Sequence, residues 1–238
     1  MIEYAFQTDQ VYSASFGVRI IDSYPKIQYG SPNYTQISIP GRKGTLTSTD
    51  GTYSDTIITM DCDITLIDAV SVDLQYQQFI SHLMQSKCLS LEGMESSYFR
   101  IKHVEISDYD RYSDISIEFQ LTITCDPGVY QKDGDRFINV LNNQIINIYS
   151  VSEPIYRIEG TGKCALTVNG NTLDLDLTEP VFIDTERQEV ILESSKNLAN
   201  TLINGDFEDY YLNPGVNTIT ISPGFVLTLK PRWRWLHP

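Results

Sequence analysis

The chain has 238 residues, 41 % of them apolar and 20 % charged, and a formal net charge of −14. That length is at the upper edge of one domain and comfortable as two of roughly 120 residues. The composition excludes disorder, and no run of about 18 apolar residues is available to span a membrane as a helix. The acidic balance excludes stable nucleic-acid binding, which needs clustered Lys and Arg to release counterions. An acidic surface is compatible with lining a passage through which DNA slides, a role that composition alone does not establish.

In chain order, Met1-Ile2-Glu3-Tyr4-Ala5 carries no basic segment followed by an apolar one, so assembly in a cytoplasm is expected. Ile58, Met60, Cys62, Ile64 and Leu66 alternate with polar residues, the period of a strand with one buried face. A helix is predicted over 71–85, where Val72, Tyr76, Phe79, Ile80, Leu83 and Met84 recur at three- and four-residue spacing, with Ser71 as N-cap and Asp73 in the first turn. Two further strands, 98–107 and 113–124, flank Asp108-Tyr109-Asp110-Arg111-Tyr112 and predict a long hairpin with 108–112 at its tip. In the second of them Ile115, Ile117, Phe119, Leu121, Ile123 and Cys125 share one face. Asp126-Pro127-Gly128 ends that strand, closing a first domain at 1–132.

Residues 133–152 form a connection whose apolar patch, Val140, Leu141, Ile145, Ile146 and Ile148, predicts a connecting strand more than a linker in water. From 153 to 238 the pattern is β only. Strands at 165–168 and 172–177 flank Asn169-Gly170, a strong hairpin signal, and others follow at 181–184, 189–192, 218–222 and 226–229. Short strands at this spacing predict a small β-sandwich. In Pro231-Arg232-Trp233-Arg234-Trp235 the tryptophans are expected to close the core and the arginines to pair with carboxylates, in preference to forming a ligand platform. The fold class is therefore mainly β with one helix: an α+β N-terminal domain followed by a C-terminal β-sandwich.

Catalytic patterns are missing. His82, His103 and His237 have no metal-binding spacing, and no nucleophile elbow or phosphate-binding glycine loop follows a strand. Asp61 with Asp63 and Asp174 with Asp176 alternate as solvated strand faces do. Asp108, Asp110 and Asp114 lack the full calcium-loop pattern. Cys62, Cys88, Cys125 and Cys164 have no paired spacing and are expected as buried thiols. No enzyme activity, cofactor or metal is expected. Fifteen tyrosines suit protein interfaces, and equally the stacking of sugars.

Four ordered blocks carry a family resemblance. Ser38-Ile39-Pro40-Gly41-Arg42-Lys43-Gly44 resembles an "IPGRDG" motif, with Lys43 where an acidic residue is common. Cys125-Asp126-Pro127-Gly128-Val129-Tyr130 resembles a "DP..Y" closing element. Gly160-Thr161-Gly162 with Asn169-Gly170 resembles "GSG…ING". Gly205-Asp206-Phe207 through Asn213-Pro214-Gly215-Val216-Asn217 to Pro231-Arg232-Trp233-Arg234 resembles a "GDF…PG.N.I…PRWR" ending. Together they span nearly the whole chain and resemble the distal tail (Dit) proteins of siphophages.

The resemblance implies a structural virion protein at the tail tip. Its N-terminal domain would form a homohexameric ring through the helix and an extended hairpin, and its C-terminal domain would be a galectin-like β-sandwich. The implied partners are further copies of the chain, the tail tube protein, the tail-associated protein and a receptor-binding or baseplate protein. Arg42, Lys43, Tyr109, Arg111 and Tyr112 are the candidate ring contacts, although two glycines around basic residues are equally an ordinary turn. The alternative is a carbohydrate-binding module for host cell-wall glycans; a glycan hydrolase would need a carboxylate pair that the sequence does not single out.

Overall fold

The computed structural model describes residues 4–67, 71–203 and 205–236, so Met1 to Glu3 and His237 lie outside the described residues. The chain divides into two compact units, one of residues 1–129 with 236–238 and one of residues 130–235.

The first unit contains β1 (Phe6–Thr8), β2 (Val11–Tyr12), β3 (Val18–Ile20), β4 (Lys26–Gln28), β5 (Pro32–Ser38), β6 (Thr45–Tyr53), β7 (Thr56–Thr65), α1 (Val72–Leu83), β8 (Cys88–Leu91), β9 (Ser97–Ile106), β10 (Asp110–Ser113) and β11 (Ser116–Cys125). Its sheet runs β2-β1-β8-β9-β11-β7-β3, with β4 also pairing β7 and β10 pairing β11. The long antiparallel pair is β7 with β11, in register from Thr56 opposite Cys125 to Thr65 opposite Ser116. Period two puts Ile58, Met60, Cys62 and Ile64 of one strand and Ile117, Phe119, Leu121 and Ile123 of the other into a single core.

α1 lies against that core. Ser71 Oγ accepts a hydrogen bond from Leu74 N–H, satisfying a donor that the first turn leaves over. Val72, Tyr76, Phe79 and Leu83 are buried on one stripe, each contributing roughly 1.5–3 kcal/mol of apolar burial. Met84, expected on that stripe, is the C-cap and is exposed, because the helix ends one residue earlier. Phe79 meets Phe6, Phe16 and Phe119 at ring-centroid distances of 6.2, 5.8 and 6.0 Å. Gln75, also buried, accepts from Ile67 N–H and donates to Phe16 O and Thr65 O, tying the helix to two chain segments. Gly17 sits beneath it at φ +67°, where a Cβ would fall 2.2 Å from Thr65 O and 2.6 Å from Gln75 Nε2, so no other residue fits.

The long hairpin turns later than the sequence suggested. Ser113 faces Ser116, so the tip is Asp114-Ile115, and Ile115 is exposed instead of sharing the buried face. Residues 110–113 are a strand. One extra residue on the β9–β10 side between Ile106 and Asp110 shifts the register, a bulge at which Ser107 Oγ accepts from Gln120 N–H. Residues 107–115 are exposed, and the unit has a second exposed ribbon that the sequence did not show. β5 and β6 form a separate two-stranded sheet, in register from Ser38 opposite Thr45 to Pro32 opposite Tyr53, and every residue from 33 to 52 is exposed. Hydropathy alternation cannot show such an arm, because neither of its faces buries anything.

β12 (Val129–Gln131) lies at the boundary in sequence. The second unit then contains β13 (Ile138–Asn139), β14 (Gln144–Asn147), β15 (Ile155–Glu159), β16 (Gly162–Val168), β17 (Asn171–Leu177), β18 (Val181–Asp184), β19 (Glu189–Leu192), β20 (Gly215–Ile221), β21 (Val226–Lys230) and β22 (Arg234–Trp235). Two sheets, β13-β21-β15-β18-β19 and β14-β20-β16-β17, enclose a core of Tyr156, Ile158, Ile183 and Leu229 with Leu166, Val168, Leu173 and Ile219. The β16–β17 hairpin turns on Asn169 at φ +51° and Gly170 at φ +94°, the left-handed pair that a two-residue turn demands. Segment 133–152 supplies a strand to each sheet, β13 and β14, joined through an Asn142-Asn143 turn with φ of +52° and +57°. Both asparagines take the left-handed conformation that this residue tolerates best after glycine.

Candidate assembly surfaces

The arm presents Tyr34, Ile37, Ile39 and Leu46 to solvent, and at its tip Arg42 and Lys43 are exposed. Its only charges are Arg42, Lys43 and Asp50, which leave it positive on a chain whose net charge is −14. A two-stranded ribbon with no buried face has little to stabilise it alone.

The three other candidate residues sit on β10 and beside it. Arg111 bridges Asp73, in the first turn of α1, at 3.1 Å and Asp114 at 3.2 Å, and its Nε–H donates to Ser113 O. The Tyr109 ring packs on Tyr76 at 5.1 Å. Tyr112 is exposed. The five residues thus divide between two elements, and Tyr109 and Arg111 already bind the edge strand to the helix of their own chain.

The tail motif builds a clamp inside the second unit. Arg232 binds both oxygens of Asp184 at 2.6 and 2.8 Å and lies 3.0 Å from Glu186, while Arg234 meets Glu153 at 2.8 Å. Burial opposes ionisation of Asp184, but hydrogen bonds and charge from Arg232, with Arg187 N–H, outweigh it and hold the carboxyl below its ordinary range. Trp233 is buried and stacks on Tyr149, and Trp235, which the sequence expected in the core, stands half-exposed against the edge of the same ring. Its indole has slipped outward because only Arg234 and Trp235 are in strand conformation, so alternation does not extend back to Trp233.

The carboxylate and histidine candidates are occupied structurally. Asp63, expected on a solvated face, is buried and held by Arg19 at 2.7 and 2.9 Å; Asp61 accepts from Gln120 Nε2. His82 stacks on Phe16 with Nε2 3.0 Å from Thr8 Oγ1, and His103 lies near Glu105. Among the described residues no three His, Cys, Asp or Glu side chains gather at a metal-binding distance, and no helix is long and apolar enough to cross a membrane. Burial raises the Cys62 and Cys125 thiols, the latter to about 12, leaving them protonated and unreactive.

The outward face of β14-β20-β16-β17 offers Thr167, Thr172, Thr218 and Thr220 with Lys163, Asp174 and Asp176, and none of the residues in these four strands is aromatic. On the other sheet, Phe182 and Phe137 lie beneath Arg157 and Lys230, at 5.8 and 5.6 Å from the ring centroids. Phe137 remains 41 % exposed.

No protein-family model matches the chain, and no curated protein sequence matches it. Among solved structures, the fold is similar to that of SPP1 Dit (gp 19.1), described as a paradigm of the hub adsorption apparatus in phages that infect Gram-positive bacteria. The similarity covers 95 % of this chain and 97 % of that one, with a TM-score of 0.63 and 13 % sequence identity. The two chains share a fold, which in this chain is mainly β with one α-helix among the described residues.

Proposed function

We propose that this chain is a structural virion protein, a homohexameric hub at the distal end of a long non-contractile phage tail. It joins the tail tube to the tail-associated, host-adsorption apparatus and leaves a channel for DNA. The observation that carries this reading is the end-to-end correspondence with a hub protein's fold: both units align, with little of either chain left over. On this reading the N-terminal domain forms the ring, and the C-terminal sandwich attaches further tail components such as a receptor-binding protein.

The arm supports it physically. A ring needs a heterologous contact, in which an element of one copy meets a different surface of the next. A ribbon exposed on both faces, apolar along its length and basic at its tip, is suited to lie on a neighbouring copy whose surface is acidic. Arg42 and Lys43 are then ring contacts made by the arm, and Tyr109, Arg111 and Tyr112 belong to a second contact at the β10 edge.

Mass measurement across a concentration range, with negative-stain imaging of the same sample, tests the proposal. A hexamer with a central hole is expected. A chain that stays monomeric at every concentration and does not associate with tail tubes would overturn it.

A further inference from the structure

The apolar patch of 137–152 is unused by the hub reading, and its exposure is high: Leu141 is 74 % exposed, Ile146 65 %, Ile148 67 % and the neighbouring Val216 62 %. Ile146 lies directly opposite Val216, and Leu141 opposite Gln144, so these side chains share the outward face at one end of the four-stranded sheet. β14 is also that sheet's edge. Ile219 N–H donates to Asn143 O, which sets the alternation: the backbone groups of Ile145 and Asn147 point to β20, and those of Ile146 point outward from the sheet.

The two edges of this sheet are defended differently. β17 carries Asp174 and Asp176, charges of the kind that keep an edge from pairing. β14 reads Gln-Ile-Ile-Asn, with no charge and no proline. The lack of charge is wider than the strand, since no Asp, Glu, Lys or Arg occurs from 137 to 152 or from 210 to 229, the two segments that build this edge. An undefended edge flanked by exposed isoleucines is a pairing surface.

What it takes is set by charge and pattern. The occupant must be an uncharged strand with apolar residues on alternate positions, since a charged one would be stripped of water against Ile146 and Ile148. The edge itself meets that description. Two copies that each carry −14 repel over most of their surfaces and can approach here without like-charge contact. We propose that β14 is a docking edge for a second copy of this chain. The two strands pair antiparallel about a two-fold axis, so that Ile146 and Ile148 of each copy cover those of the other, with Val216 behind them. A two-fold contact closes on itself and is independent of any ring contact made by the arm.

The test uses the full chain with Ile146→Cys, oxidised in air at micromolar concentration, beside Asp174→Cys on the opposite edge as the control for random collision. The expected result is a covalent dimer on a non-reducing gel from Ile146→Cys, at least tenfold above the control. It should persist when Arg42→Glu and Lys43→Glu are added. Ile146→Lys, at an exposed site, should weaken self-association at least tenfold by sedimentation with no change in unfolding midpoint. Cross-linking no better than the control, or an Ile146→Lys mass distribution identical to wild type, overturns the proposal. A wild-type ring indifferent to both variants would do so while leaving the hub reading intact; a cross-linked dimer from a chain that never forms rings would support the edge and count against the hub.

Discussion

Replacing Arg232 by Met removes the guanidinium and keeps most of the stem, leaving Asp184 inside the second unit without its main partner. The two side chains are 11 % and 9 % exposed, so water cannot take over the role of Arg232. Breaking a buried pair by deleting one member costs about 3–5 kcal/mol. Arg187 N–H still donates to Asp184, at 3.1 Å, which argues for the lower end, about 3 kcal/mol. For a unit of about 100 residues each kcal/mol is worth roughly 4–8 °C, so the unfolding midpoint of that unit should fall by roughly 12 °C or more. The only two tryptophans flank Arg234, and their fluorescence therefore reports this unit. The pH dependence has a definite sign. Asp184 is held below its ordinary range in the wild type, so its contribution is full above the unfolded value of about 3.9 and is lost as the pH falls through the lower folded one. In Arg232→Met the uncompensated buried carboxylate prefers its proton, so the gap between wild type and variant should be widest near neutrality and should narrow in acid. A double-mutant cycle with Asp184→Asn isolates the pair. Additivity within about 0.5 kcal/mol would refute the clamp.

Gln75→Leu should destabilise the first unit by about 2 kcal/mol, because it takes their shared partner from Ile67 N–H, Phe16 O and Thr65 O at a part-buried place; denaturant unfolding followed by circular dichroism measures it. Arg42→Glu with Lys43→Glu should weaken oligomer formation while leaving the unfolding midpoint within about 0.5 kcal/mol of wild type, as expected for exposed positions. Thiol titration of the native protein at pH 8 should find Cys88, which is half-buried, reacting first, and Cys62 and Cys125 only on unfolding; fast labelling of all four would contradict their burial. Tyr156→Phe leaves Tyr210 O without the 2.7 Å hydrogen bond it receives and should cost about 1–2 kcal/mol, read by thermal melts of the two proteins side by side.

What the sequence disclosed depended on whether a segment is buried on one side. β7 and β11 show clean alternation because one face of each packs on the core and the other does not. α1 was legible for the same reason, and its cap because a serine precedes the stripe. Asp63 was misread since nothing local shows that Arg19, far away in the chain, covers it. The hairpin tip was misplaced because two extra residues on the β9–β10 side, one between Ile106 and Asp110 and one between Arg111 and Ser113, break the alternation that would have marked 110–113 as a strand. Of the candidate contacts, Arg42 and Lys43 were found as a turn, yet the strands on either side of it were not. The available signal was propensity alone: Thr35, Thr45, Thr47, Thr49 and Thr52 with Tyr34 and Ile37 favour extended backbone without specifying a buried face.

The two proposed assembly elements escape a pattern-based reading for a related cause. Hydropathy period records the burial that a chain achieves by itself, so a strand whose second face is to be covered by another copy looks polar, irregular or like a connection. β5 and β6 show no period because both of their faces are open, and β14 looks like part of a connection because its outward isoleucines spoil the alternation that Ile145 and Asn147 would otherwise display. The distinguishing mark of each is charge. The arm is positive on an acidic chain, and the β14 edge is uncharged where the opposite edge carries aspartates. A positive arm is drawn toward an acidic neighbour from a distance set by ionic strength, whereas an uncharged edge acts only on contact. Raising the salt should therefore weaken association through the arm and leave association through β14 unchanged or strengthened, so the two contacts can be separated in one wild-type sample. If salt shifts the whole oligomer population in one step, the assignment of one contact to charge and the other to apolar pairing is wrong.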